Sequence, residues 1–475
     1  MIVPHSSLNV IEPGQHRQIG AVFACNVVSQ MEVTLVVRVL TKLDLLCLPA
    51  SASLQLTKGE AEADEEPTAA YAHALLTTLA NVLAKKVERK DVDVPKYIDQ
   101  LVPRLFNLFI YSALTFSASN ESRQGFVAAT PKLLTVAGRI INLVVQTLDA
   151  RRRQETFVSA LIDAYLKGEA KKIAAGQPMI PQGAQFSPFD DGASSAQKNL
   201  VVLFSQALIA LHKDVKVPVD DPTLFLQKIL SWSLHHAESL LQRESAWHIV
   251  AAIINKRAQD LEPFISNNTP SLWSSEVVDT TKSAEGRRTT ITAWTWIVKG
   301  LLLRSHPRAL PLAQQLFDLF DDVNVSWDAA RAVGQVVAAD KVLTKPNHAV
   351  IKILYAQKYM SALLPRIIEG AKTQAEPQRQ TAHLVALASL VTAMPKHTYA
   401  YELPTLLPLL LRGLDLPDSE IRANVIETFL SAARGDVESN AKASKEGSLV
   451  SGHASTLVST MLKNSSAREM PNPVR

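Results

Sequence analysis

The sequence predicts an all-α fold built from stacked antiparallel helix pairs. Three observations carry this. Leu, Ala and Val dominate while aromatic residues make up 6% and glycines number only 17. Apolar residues recur at helical spacing through most of the chain, with no convincing run of strand alternation. Two sequence markers also repeat at a fixed interval near the C-terminal end.

In residues 69–86, Leu75, Leu76, Leu79 and Leu83 fall on one helical face. In 198–212, Leu200, Val201, Phe204, Leu208 and Leu211 do the same, and Trp247, Val250, Ile253 and Ile254 repeat the pattern in 246–256. Residues 31–38, MEVTLVVR, fit either a helix or a strand. Three polar segments interrupt the helices: the acidic loop 58–67 (KGEAEADEEP), the Gly-, Pro-, Ser- and Gln-rich stretch 174–199, and 434–452. Their composition cannot bury enough apolar surface to offset the entropy of ordering. The expected organisation is a helical repeat segment over 1–173, a flexible loop or linker over 174–199, and further repeats over 200–475.

The repeat is visible in Leu-Leu-Pro-x-[Leu/Ile], found as LLPRI at 363–367 and LLPLL at 406–410, with a related LVPRL at 101–105. Pro365 and Pro408 are 43 residues apart, and Arg379 and Arg422 each follow their proline by 14 residues. That interval matches the roughly 40–47 residues of HEAT and armadillo units. Each unit reads as helix, turn, helix, giving a HEAT/armadillo-like α-solenoid. Pro404 suits the first turn of its helix, where a missing N–H is harmless. Pro365 and Pro408 lie further in and should bend their helices. Asp418 is placed to cap the second helix of its pair, and Arg422 can reach an acidic group of the same or an adjacent pair. A lone helix pair cannot hide its apolar face, so stacking makes the core and leaves a long surface suited to binding.

Charge and motifs narrow the function classes. A net charge of +4 gives no strong footprint for nucleic acid or membranes. The basic pairs and triplets at 151–153, 171–172 and 287–288 read as solvated helix ends or loops. Cys25 and Cys47 are too few for a disulfide framework or a four-cysteine metal site. The N-terminal residues show no signal-peptide pattern, and the apolar run WTWIVKGLLL at 294–303 is interrupted by Lys299, so it reads as a buried helix and not as a membrane span. No phosphate loop, dinucleotide fingerprint, nucleophile elbow or HExxH motif is present. His235 and His236 are adjacent and cannot face one metal from one helix; His212, His248 and His383 stand singly. The carboxylates of 317–322 (FDLFDD) read as solvated residues at a helix end. Of Trp294 and Trp296, which point to different faces, one is expected in the core and the other is a candidate interface anchor. The reading is a non-enzymatic protein without metal or cofactor.

Residues 291–433 resemble the C-terminal region of the Mms-nineteen (Met-eighteen) family. The resemblance rests on AWTWIVKGLLLRSHP (293–307), YMSALLPRIIEGA (359–371) and MPKHTYAYELPTLLPLLLRGLDLPDSEIR (394–422). It implies a HEAT-repeat adaptor of the cytosolic iron–sulfur protein assembly targeting complex, found in nucleus and cytoplasm. Such an adaptor holds WD-repeat and small assembly subunits and recruits iron–sulfur client proteins, among them helicases and polymerases of DNA replication, repair and transcription. It needs no direct nucleic-acid contact and no membrane. A HEAT scaffold of another pathway, such as a transport receptor or regulatory subunit, is the alternative. The family pattern extends beyond both ends of this chain. Residues 454–463 read as the first helix of a further pair whose second helix would begin near Val474 and Arg475, so the last repeat is expected to be incomplete.

Overall fold

The computed structural model describes residues 69–118, 130–149, 153–169, 172–173, 180, 185–373, 376–394, 398–399 and 402–419, together with 421–423, 425–426, 429, 455, 458–459 and 462. The ambiguous stretch 31–38, the acidic loop 58–67, both cysteines, the segment 434–452 and Val474–Arg475 lie outside the described residues. Among the described residues there is no β-strand; the chain is all-α. It divides into two compact units, one comprising Met1–Phe264 with Val342–Val350, the other Ile265–Lys341 with Ile351–Arg475.

The first unit contains helices α1 (Ala69–Glu88), α2 (Val102–Ala118), α3 (Pro131–Val145), α4 (Glu155–Lys167), α5 (Ser195–Asn199), α6 (Val201–Ile209), α7 (Pro222–His235) and α8 (Leu240–Arg257). Every second long helix packs on its counterpart, α1 on α3, α3 on α6 and α6 on α8, while α7 pairs with α8. The leucines and other apolar residues that set the helical period are buried: Leu75, Leu76, Leu79 and Leu83 on α1, Phe204 and Leu208 on α6, and Trp247, Val250, Ile253 and Ile254 on α8. Local chemistry marks the helix starts. Asp221 accepts the N–H groups of Thr223 and Leu224 at 2.7 and 3.1 Å with Pro222 opening α7. Ser239 accepts from Gln242 at the start of α8. Both satisfy N–H groups that a helix leaves unpaired.

The segment 174–199 reads in sequence as a flexible loop or linker. Its residues 185–199 are packed: Phe186 and Phe189 are buried, and Ser194 caps the short helix α5. Phe186 meets Tyr165 at 5.3 Å, and Phe189 bridges Phe204 and Trp232 at 5.4 and 5.3 Å. Two aromatic side chains supply enough buried area to order a stretch whose average composition is polar. Gly168 ends α4 in the left-handed region (φ 73°), where a Cβ would lie 2.8 Å from the Phe186 carbonyl oxygen, so close approach of the two segments requires glycine there.

The second unit contains α9 (Thr269–Leu272) between π-helical turns, α10 (Ala284–Leu303), α11 (Ala309–Gln314, continuing as a 3-10 helix over Gln315–Leu319), α12 (Ser326–Gln335), α13 (Tyr355–Thr373), α14 (Pro377–Ala393) and α15 (Leu403–Gly413). Helices α13 and α14 pack as a pair, with α12 stacked on α14 and α14 on α15. Gly334 on α12 lies against the Ser389 backbone of α14, a contact that a side chain would block. Tyr359 is fully buried and donates its hydroxyl to the Val333 carbonyl at 2.7 Å, tying α13 to α12.

One expectation about charged residues is corrected in this unit, and another is refined. Arg287 is 3% exposed, and it donates to the Val277 carbonyl and to Asp322 at 2.7 and 2.6 Å; it is a buried anchor, not a solvated helix end. Of the FDLFDD carboxylates, Asp321 pairs with Arg379 at 3.0 Å and Asp322 with Arg287. They tie helices together because the turn after α11 points them at arginines some 35 and 58 residues away in sequence.

Candidate protein-interaction surface

The residues singled out by the repeat come together in the second unit. Pro365 lies inside α13 and Pro408 inside α15, both exposed. Both helices run through their prolines, which face solvent, where a carbonyl left without its N–H partner can be hydrated. Pro404 sits in the first turn of α15. Arg379, in the first turn of α14, reaches Asp321 in the turn after α11 at 3.0 Å, and Gln378 donates to the Asp321 carbonyl at 3.3 Å. Arg422, at the matching position 43 residues on, donates to the Leu416 carbonyl at 2.7 Å. Equal register therefore does not give equal partners.

Asp418 caps the helix that begins at residue 419: its Oδ1 accepts the Ile421 N–H at 3.1 Å, and its carbonyl accepts the Arg422 N–H at 3.2 Å. Its other carboxylate oxygen pairs with Arg331 of α12. Arg331 in turn lies 3.8 Å from Asp328, and Asp328 lies 3.2 Å from Arg288 of α10. The result is a row of alternating charge, Arg288–Asp328–Arg331–Asp418, spanning 130 residues of sequence. A second tie lies at the end of α13, where the Ala371 carbonyl accepts from Arg412 at 3.1 Å and from Gln380 at 3.0 Å. A guanidinium at a helix C-terminus satisfies an orphan carbonyl and complements the helix dipole. Sequence spacing pointed to Asp418 but not to Arg331, Asp328 or Arg288, because nothing in the period links residues that far apart.

Burial pushes the Asp322 carboxyl up, but its hydrogen bond from Arg287, the Asn324 N–H and the Arg287 charge together hold it below its ordinary value. Among the described residues, no group of three His, Cys, Asp or Glu side chains could hold a metal ion. His383 is buried against Phe317 and Phe320, its Nδ1 2.7 Å from the Arg379 carbonyl. His235 and His236 stand at the end of α7, with His236 3.3 Å from Asp191. No described helix is long and apolar enough to cross a membrane.

Three tryptophans lie on the helices of the row, one in the core and two half-buried. Trp294 is the core member of its pair, fully buried and donating to the Leu312 carbonyl at 3.1 Å. Trp296 is half-buried on the same stripe of α10 as Arg288 and Thr292, with the Lys299 ammonium 4.8 Å from its ring centre. Trp327, also half-buried, stands four residues before Arg331 on α12. Half-buried aromatics on the helices that carry the paired charges, with Thr292 and Gln335 exposed on the same helices, have the makeup of a protein-docking surface: apolar anchors within a polar surround.

A family model described as RNAPII transcription regulator C-terminal matches residues 25–475. Among curated proteins, the chain is similar to the DNA repair/transcription protein mms19 of Schizosaccharomyces pombe, 25% identical over 361 residues, covering 75% of this chain and 34% of that protein. It is similar to the MMS19 nucleotide excision repair protein homolog of Mus musculus, 26% identical over 331 residues, covering 68% and 30%. With the homolog of Homo sapiens it shares 27% identity over 272 residues, covering 57% and 25%. The chain thus spans about a third or less of the length of these relatives. Among solved structures, a Kap121p mutant covers 100% of this chain and 52% of its own at 11% identity and a TM-score of 0.35, too low a score to bear on function.

Proposed function

Because the chain belongs to the MMS19 C-terminal family, described as RNAPII transcription regulator C-terminal, we propose that it is a non-catalytic scaffold serving DNA repair and transcription through protein partners. The observation that carries this reading is the family match across residues 25–475. The disposition of charge agrees with it. The polar side chains of the row Arg288–Asp328–Arg331–Asp418 are spent on tying helices together, while Trp296 and Trp327 remain partly open beside them. The relatives' names supply the repair and transcription setting.

The finer proposal is that the chain recruits apo iron–sulfur client proteins, such as helicases and polymerases, to the cytosolic iron–sulfur assembly machinery. In this reading it contacts WD-repeat and small assembly subunits, carries no cluster of its own and acts in nucleus and cytoplasm. The test is an affinity pull-down of the 475-residue chain from cell extract, with bound proteins identified by mass spectrometry. Assembly subunits or iron–sulfur clients are the expected co-purifying proteins; their absence, with unrelated partners in their place, would sink the iron–sulfur reading. A stoichiometric visible chromophore on the purified protein would overturn the scaffold assignment.

A further inference from the structure

The segment Val342–Val350 lies in sequence between α12 and α13 of the second unit, yet it packs within the first. Its anchorage is specific. Val342 and Leu343 are buried, and Asn347 donates from Nδ2 to the Val342 carbonyl at 2.9 Å. Asn255 of α8 grips the Val350 peptide groups from both sides: its Oδ1 accepts the Val350 N–H at 2.8 Å and its Nδ2 donates to the Val350 carbonyl at 3.1 Å. His348, at φ 57°, is held so that Nε2 lies 3.0 Å from the Gln146 carbonyl at the end of α3. Its ring centre is 4.8 Å from that of His212, just beyond α6.

The charges facing this contact are mostly basic. Lys256, next to Asn255 on α8, is buried and donates to the Ile209 carbonyl at 2.5 Å. Arg257 points to the Lys213 carbonyl at 3.2 Å and pairs with Asp260. Asp214 lies 3.2 Å from His212 Nδ1, and Lys345 on the segment itself is exposed. A neutral His348 can donate Nε2–H to Gln146. A protonated His348 keeps that bond but adds a charge in a half-buried place beside a second imidazole and an amine.

We propose that residues 342–350 form a protonation-sensitive strap, docked on the ends of α3, α6 and α8 while His348 is neutral and released when His348 takes up a proton. Burial and the His212 and Lys256 charges hold His348 below its ordinary value, against the Gln146 carbonyl, which favours the proton. The sign follows. A released imidazole binds a proton below about pH 6.5 and the docked one resists it, so docking is at full strength above that pH and weakens as pH falls through it. The docking equilibrium therefore falls between pH 7.5 and 5.5, by at most about tenfold, the limit set by titration of the released imidazole alone.

The test is amide hydrogen–deuterium exchange on the full chain at pH 7.5 and 5.5, corrected for intrinsic exchange, with far-UV circular dichroism at both. The expected result is a drop in protection across 342–350 of up to about tenfold, with helical content unchanged. His348→Gln, which retains an N–H donor for Gln146 but does not titrate, is expected to shrink the ratio of protection between the two pH values. Equal strap protection of the native chain at both pH values overturns the proposal. So does loss of helical signal together with strap protection, which is general acid unfolding, and so does a His348→Gln ratio equal to the native one.

Discussion

Gly370 of α13 packs directly against the imidazole of His383 on α14, so a methyl group at position 370 would overlap three atoms of the ring. The two helices of this pair approach as closely as they do because one of them has no side chain at the crossing. The same device recurs one layer away, where Gly334 of α12 faces Ser389 of α14, but there the obstacle includes backbone. Gly370→Ala is expected to destabilise the chain by about 1–3 kcal/mol through overpacking. Gly334→Ala should cost more, because a ring can rotate and a backbone cannot. Thermal unfolding followed by circular dichroism checks both, and an unchanged melting temperature for Gly334→Ala would contradict the close crossing of α12 and α14.

Asp418 has two roles that substitution can separate. Asp418→Asn keeps a cap for the Ile421 N–H but removes the charge opposite Arg331; Asp418→Ala removes both. The cap is worth about 1 kcal/mol, so Ala should be the more destabilising by about that amount. A double-mutant cycle with Arg331→Ala is expected to give a coupling of about 0.5–2 kcal/mol for a partly buried pair. Equal stabilities for the Asn and Ala variants would show that Asp418 does not cap.

Lys256 makes stability pH-dependent above neutrality. Burial pushes its amine from 10.5 down to about 7. Between these values the unfolded chain holds a proton that the folded chain lacks, so stability rises with pH. From pH 7 to 9 the gain is about 2 kcal/mol. Lys256→Met, of similar volume, should abolish this slope. Urea denaturation of both proteins at pH 7, 8 and 9 provides the comparison; parallel slopes would exclude a neutral buried lysine.

Arg287 is a buried cation with one carboxylate and one carbonyl as partners. Arg287→Met leaves Asp322 without its ion pair and the Val277 carbonyl without its donor. Breaking a buried pair from one side costs about 3–5 kcal/mol, reduced here to about 2–4 because Asp322 keeps the Asn324 N–H and some solvent. A variant melting within a degree of the native protein would return Arg287 to the status of an ordinary surface residue.

Helix-scale features were legible in the sequence, and contacts across helices were not. The leucines of α1 and the apolar face of α8 are buried where the 3.6-residue period places them, since periodicity records which side of a helix meets a core. The 43-residue interval located the starts of α14 and of the helix at 419, and Asp418 caps as its position suggested. The fates of Arg287, Lys256 and Asp322 were hidden, because nothing about a charged residue's neighbours in sequence says which distant carbonyl or carboxylate it will meet. The aromatics Phe186 and Phe189 were masked by the polar residues around them. The division between the two units at Phe264 and Ile265 falls inside the π-helical turn Phe264–Asn268, with no glycine or proline run to announce it.

The interleaving of the two units governs how the chain can be cut. A polypeptide ending at Phe264 would include Asn255 but not Val350, leaving a buried amide with neither of the backbone groups it holds. Each buried hydrogen bond lost there costs about 0.5–1.5 kcal/mol, and Lys256, which holds the Ile209 carbonyl, is next to Asn255 on α8. Anyone dividing this protein into separately expressed pieces therefore has to supply nine residues from far along the chain, or add them back as a peptide, before the first piece can be judged for its own foldedness.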